Sequence, residues 1–98
     1  MGIDRVAHEL AQFVDEVSRA EGLTARRADA VVEASIDRWV WYAGWADKLA
    51  QTLGSANPVA GPYFNFSVPE PTGVVPVVPP QESSLLRPVS VLAPPLVC

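Results

Sequence analysis

Cysteine is almost absent: Cys98 is the only one and stands at the last position, so no intrachain disulfide, Cys-rich zinc site or thiol pair can be assembled. A reducing, cytoplasmic setting is the expectation that follows. Histidine is as scarce. His8-Glu9 begins like a zinc-protease helix, but Gln12 stands where the second ligand is needed four residues later, which leaves His8 as a surface or core residue and predicts no metal site. Cations are outnumbered, 7 Lys and Arg against 11 Asp and Glu. The clustered positive charge that holds nucleic acid or an anionic membrane is therefore missing. Long apolar runs are missing too. The uncharged stretch between Lys48 and Glu70 is broken by Gly54, Asn57, Pro58, Gly61, Pro62, Asn65 and Pro69, whereas a spanning helix needs about 20 predominantly apolar residues. No membrane span is expected. Nor does the start, with Asp4, Arg5 and Glu9, resemble the basic region and apolar run of a secretory signal, so no export is expected. The six glycines stand apart at positions 2, 22, 44, 54, 61 and 73, which excludes a phosphate loop and a spaced glycine triplet. Composition and spacing alone reveal no active site.

What is present is one small, mildly acidic domain or a piece of one: 98 residues, 49% hydrophobic, net charge -4. A chain this short buries only about two-thirds of its unfolded surface, so it is marginal without partners or further sequence. All ten prolines lie in residues 58–98, and of the charged residues only Glu70, Glu82 and Arg87 lie there. The two halves obey different physics.

In the first half, Ile3, Val6, Leu10, Phe13, Val14 and Val17 recur at three- and four-residue steps, which predicts an amphipathic helix stopped by Gly22. Thr24 is placed to cap a second helix. Its stripe reads Ala28, Val31, Val32, Ile36, Trp39, Ala43, Ala46, Leu49, Ala50 and Leu53, with Gly54 as the stop. A single helix over residues 24–53 runs about 45 Å, longer than a compact domain of this size, and points to membership of something larger. Trp39, Trp41, Tyr42 and Trp45 cover more than one helix face, so at least one aromatic meets a second surface or stays exposed. In the second half, residues 63–68 and 73–78 read as two short strands, with Pro76 leaving a ladder gap in the second. Ser83 and Ser84 precede a helical face of Leu85, Leu86, Val89, Leu92, Ala93 and Leu96, which Pro94-Pro95 must kink or end.

The remaining polar features have plain explanations. Asp15-Glu16, Glu33 and Asp37 fall on the polar side of helices whose other side is apolar. Arg26-Arg27 are flanked by Asp29 and Glu33 and suit local ion pairs better than a phosphate. Asn65-Phe66-Ser67 fits the glycosylation pattern, with nothing routing the chain to a secretory compartment.

Two motifs go further. Tyr42-Ala43-Gly44-Trp45-Ala46-Asp47-Lys48, followed by Pro69-Glu70-Pro71-Thr72-Gly73-Val74-Val75, resembles the aldehyde dehydrogenase superfamily. The resemblance is good from Ala34 onward and general in the first helix. It implies an α/β fold: N-terminal amphipathic helices, then short strands and a helix, forming the beginning of a Rossmann-like cofactor domain. In this reading residues 1–53 are two helices, residues 54–72 a loop and an oligomerisation-type strand, and residues 73–98 the first cofactor-domain strand and its following helix.

The resemblance also implies chemistry. By position Val77, Val78, Pro79 and Pro80 match the stretch that lines NAD or NADP, with Pro80 replacing the usual Trp. Gln81 matches the Asn that holds the carbonyl oxygen of the thiohemiacetal. The longer amide keeps the donor but displaces it by one methylene, enough to spoil an aligned oxyanion contact. Glu82 stands where many members have Phe and adds negative charge beside that oxygen. The family's nucleophilic Cys and general-base Glu fall beyond the position of Cys98, which matches a small-residue position and not the nucleophile. The expectation is a fragment of an enzyme that oxidises aldehydes to acids, inactive and without bound cofactor by itself, and joined to copies or to a related chain. The alternatives are a non-catalytic module docking on a full-length relative, and a helical hairpin with a disordered Pro-rich tail.

Overall fold

The computed structural model describes residues 3–97. Four helices and one pair of very short strands follow in the order α1 (Ile3–Glu21), α2 (Ala25–Ala43), α3 (Leu49–Leu53), β1 (Ala56–Asn57), β2 (Asn65–Phe66) and α4 (Leu86–Val97). The architecture is helix-dominated with a two-stranded sheet.

Helix α1 ends as its sequence predicts. Gly22 takes φ +64°, and the Leu23 amide donates back to the Ser18 carbonyl at 3.1 Å. That is the six-to-one bond of a Schellman motif, and only glycine enters this left-handed region without steric cost. The Ser18 hydroxyl donates to the Leu23 carbonyl at 2.7 Å, closing the turn from the other side. Leu23 then packs against Val17, Ala28 and Val32, the small core shared by α1 and α2, with Leu10, Val14, Val31 and Leu85 around it. Thr24 occupies the N-cap of α2 with extended backbone, yet its side chain makes no capping bond; its carbonyl accepts the first amides, from Arg27 and Ala28, both at 2.9 Å.

The expected continuous helix over residues 24–53 is two helices. The path tightens after Ala43: Trp45 donates to the Tyr42 carbonyl, Ala46 to Ala43 and Lys48 to Trp45, all three-residue closures. Gly44 removes the side chain that would stiffen the helix there, and the Lys48 ammonium donates to the Gly44 carbonyl. Trp41 meets Tyr42 edge-on with ring centroids 4.8 Å apart, and Trp45 lies 5.7 Å from Trp41. As the spacing requires, the aromatics do not all find cover: Trp41 is 58% exposed.

Helix α3 leads through Gly54 into β1. A Cβ at Gly54 would stand 2.7 Å from the Ala50 carbonyl oxygen and 3.2 Å from that of Ser67, so this junction needs glycine for space. Antiparallel pairing sets Ala56 opposite Phe66 and Asn57 opposite Asn65, extended by the Ser67 amide donating to the Ser55 carbonyl at 2.9 Å. The Asn57 side-chain amide donates to the Asn65 side-chain oxygen Oδ1 and to the Ser67 hydroxyl, each at 3.1 Å. Of the strand expected over residues 63–68, only Asn65–Phe66 is strand.

The strand expected over residues 73–78 is not formed; residues 69–80 have no regular structure. A run of Val cannot be a strand without a neighbour to share its ladder, and Pro76 removes one donor from any ladder offered. Helix α4 also departs from expectation, running through Pro94 and Pro95. Those prolines delete the amides that would serve the Ser90 and Val91 carbonyls, but they lie within the last four residues, where few bonds remain to lose. The Val89 amide donates to the Leu85 carbonyl at 3.1 Å to start the helix, and Val89 and Ala93 are buried against α2.

The radius of gyration is 19.3 Å, where a compact domain of this length has about 13 Å. Helices α1, α2 and α4 pack together, and the molecule measures 63 × 33 × 21 Å along its principal axes.

Candidate functional site

The residues assigned to the cofactor wall lie in the irregular segment. Val77 is half-buried, while Val78, Pro79, Pro80 and Gln81 are exposed, Val78 at 90%. The neighbouring residues Pro71, Thr72, Gly73 and Val75 fold over Pro95 of α4 and enclose a hollow of about 230 Å³. Gly73 takes φ +92° there. Glu82 pairs with Arg87 of α4 at 2.7 Å, so the negative charge next to Gln81 is partly neutralised within the chain.

The segment meets the bundle at its C-terminal end. The Glu21 carboxylate, at the end of α1, accepts three hydrogen bonds on Oε1: from the Ser83 hydroxyl at 3.0 Å, the Ser84 amide at 2.6 Å and the Ser84 hydroxyl at 2.7 Å. The Ser84 hydroxyl and then its amide, with Ser83, hold the Glu21 carboxyl below its ordinary value against a smaller opposing effect of burial. Sequence reading missed this contact: adjacent serines before a helix signal a start, but nothing local links them to a glutamate 63 residues earlier.

Two apolar depressions mark the bundle surface. One of about 170 Å³ is lined by Leu10, Phe13, Ile36, Trp39, Leu85 and Val89 among others. A second, of about 210 Å³, lies where Trp41, Tyr42, Trp45 and Leu49 face Pro94 and Val97. The second sets the aromatic cluster against the end of α4. Tyr63 and Phe64 just before β2, and Phe66 within it, stand exposed, Phe64 at 79%, with the Phe64 and Phe66 rings 5.3 Å apart.

Among the described residues no group of three His, Cys, Asp or Glu side chains is placed to hold a metal ion, and no helix is long and apolar enough to cross a membrane. Cys98 lies outside the described residues.

The model of the aldehyde dehydrogenase family matches residues 3–98. The chain belongs to that family. A curated relative, "Putative aldehyde dehydrogenase DhaS" of Bacillus subtilis (strain 168), is 38% identical over 55 residues, which is 56% of this chain and 10% of that protein. The chain thus matches about a tenth of the length of that relative. No solved structure matches. Within an aldehyde dehydrogenase the exposed segment before α4 is the one to which the resemblance assigns the cofactor wall and Gln81.

The family generally uses NAD or NADP, and the donor set here fits only part of such a group. Residues 77–80 are two valines and two prolines, and proline has no amide to donate. They can shield an apolar ring face. They offer a pyrophosphate no cation and no array of amides, so a dinucleotide is not held by these residues alone.

Proposed function

We propose that these 98 residues are the early part of the cofactor domain of an NAD(P)-dependent aldehyde dehydrogenase, an enzyme oxidising aldehydes to carboxylic acids, and that by themselves they turn nothing over. In this reading residues 1–53 form the helical part, residues 54–72 the connection with its oligomerisation-type strand, and residues 73–98 the entry to the cofactor site. Val77, Val78, Pro79 and Pro80 line one side of the nicotinamide nucleotide, and Gln81 stands at the carbonyl-binding position. The nucleophilic cysteine and the base come from the family's later sequence.

One observation carries the reading: the family match over residues 3–98 falls on a chain whose surface is far from closed. The accessible area is 7806 Å² for 10.5 kDa, where a compact monomer of that mass exposes about 5,400 Å². The excess equals what a large obligate interface covers. Trp41 beside the first motif, Val74 within the second and Val78 just after it are among the exposed apolar residues.

The test is direct. The purified chain, mixed with NAD or NADP and a panel of aliphatic and aromatic aldehydes, is expected to give no cofactor reduction above the protein-free rate. Sustained turnover proportional to protein concentration would overturn the proposal.

A second reading, a non-catalytic module that docks on a full-length relative, draws on the exposed Tyr63, Phe64 and Phe66 beside a short sheet edge. It requires a complex of fixed stoichiometry in light scattering; polydisperse association counts against it.

A further inference from the structure

The hydrogen bonds leave one stretch of chain without an anchor. Ser67 is tied to Ser55, but residues 68–79 make none of the backbone hydrogen bonds found outside the helices and strands. Anchorage resumes at Ser83 and Ser84, whose three donors converge on a single oxygen of Glu21. We propose that Glu21 is a positioning residue: by gripping Ser83 and Ser84 it fixes where the segment carrying Val77, Val78, Pro79, Pro80 and Gln81 lies against the helical bundle. This deepens, and rests on, the reading of Gln81 as the counterpart of the family's carbonyl-binding Asn.

The geometry sets how tight the hold is. Gln81 precedes Ser83 by two residues, so its Cα stays within about 7 Å of that of the gripped serine whatever the backbone does between. Glu82, the residue between, is tied separately to Arg87 at 2.7 Å. Two charged ties on adjacent residues restrict rotation about the segment as well as its distance. A carboxylate accepting an amide and two hydroxyls makes charge-assisted bonds, stronger than neutral ones. Other charges on the flanking elements are committed or distant in role: Arg19 pairs with Asp15 on α1, Glu82 with Arg87, and Arg26 and Arg27 on α2 are exposed and make none of the ion pairs found among the described residues.

The competing role is structural: the same carboxylate could merely satisfy an amide ahead of the first turn of α4. Nuclear magnetic resonance of the 98-residue chain separates the two. In the native chain the Ser84 amide proton is expected to titrate with Glu21, and the Gln81 backbone and side-chain amide signals to follow with the same midpoint. In Glu21→Gln the Ser84 response vanishes and Gln81 loses the part of its response that shared the Glu21 midpoint, keeping only what the neighbouring Glu82 carboxylate causes. The relaxation of residues 77–82 shifts to fast, large-amplitude motion, while methyl signals of Val17, Val32 and Val89 keep their positions. Glu21→Asp, one methylene short, is not expected to restore order. If Glu21→Gln loses the dispersed methyl signals, Ser84→Ala, which removes one hydroxyl and keeps the carboxylate, is read by the same Gln81 signals.

A Ser84 response with Gln81 unmoved overturns the proposal in favour of a simple cap; no Ser84 response overturns the clamp itself. Failure of the functional reading looks different. The clamp signals would be intact, and adding NAD or NADP to a preparation supplied with the later part of a family member would leave residues 77–81 unperturbed.

Discussion

Replacing Gly22 by alanine isolates a backbone cost from every packing effect. A Cβ built on Gly22 meets nothing within 4 Å, so the substitution adds no clash, and the residue keeps φ +64° as long as the turn survives. For an L-residue that region costs about 1–2 kcal/mol. Alanine also stiffens the unfolded chain, which returns about 0.4–1 kcal/mol. The net expectation is a destabilisation of about 1 kcal/mol, which in a domain of this length lowers the Tm by about 4–8 °C. Asparagine tolerates the left-handed region better, so Gly22→Asn is expected to fall between glycine and alanine. Urea and thermal unfolding followed by far-ultraviolet circular dichroism measure both. If Gly22→Ala leaves the midpoint unchanged or raises it, residue 22 is not left-handed and the turn closed by Leu23 and Ser18 does not exist as described.

Other perturbations address other links. Val32, 4% exposed between α1 and α2, loses two buried carbons in Val32→Ala, an expected cost of about 2 kcal/mol; Val74→Ala at a fully exposed position is the control, and equal losses in urea midpoint would deny the core. Because the Glu21 carboxyl is held below its ordinary value of 4.5, its contribution is complete above that pH and is lost as pH falls through the lowered value; acid titration of unfolding free energy should show this loss in the native chain and a flatter curve in Glu21→Gln. Converting Tyr63, Phe64 and Phe66 to serine together is expected to reduce self-association in light scattering with little change in helix content, and an unchanged size distribution would place the sticky surface elsewhere.

The helical half was legible because its signals are local. A three- and four-residue apolar period, Gly22 as a stop and Thr24 as a start are decided within a few residues of chain, and α1, the loop and the start of α2 follow them. The break after Ala43 was less legible: the apolar stripe runs on through Ala46 and Leu49, and only Gly44 among three crowded aromatics hints that the helix tightens there. In the second half the pattern misled for a physical reason. Residues 73–78 have strand composition, but strand is a property of pairs, and the only ladder among the described residues joins Ala56–Asn57 to Asn65–Phe66. Residue 56 carried no strand signal at all; its pairing follows from the space that Gly54 leaves for Ser67.

The candidate site divides the same way. Gln81 and residues 77–80 were singled out through motif spacing, which needs no contact. The clamp that fixes them was not, because Glu21 and Ser84 lie at opposite ends of the chain and share no periodicity. That difference bears on how the segment works. Residues 68–79 make none of the backbone hydrogen bonds found outside the helices and strands, so the valine amides of this strip are free to join a ladder if one is offered. The Glu21 grip sets the C-terminal end of the strip and the Ser55–Ser67 bond sets the other. With both ends held, the middle has fewer conformations than a strip held at one end only. Loss of the grip in Glu21→Gln should then show first as faster, larger-amplitude motion of residues 77–82 in amide relaxation, and only second as a fall in the urea midpoint of the helices; a fall in the midpoint with relaxation unchanged would refute that order.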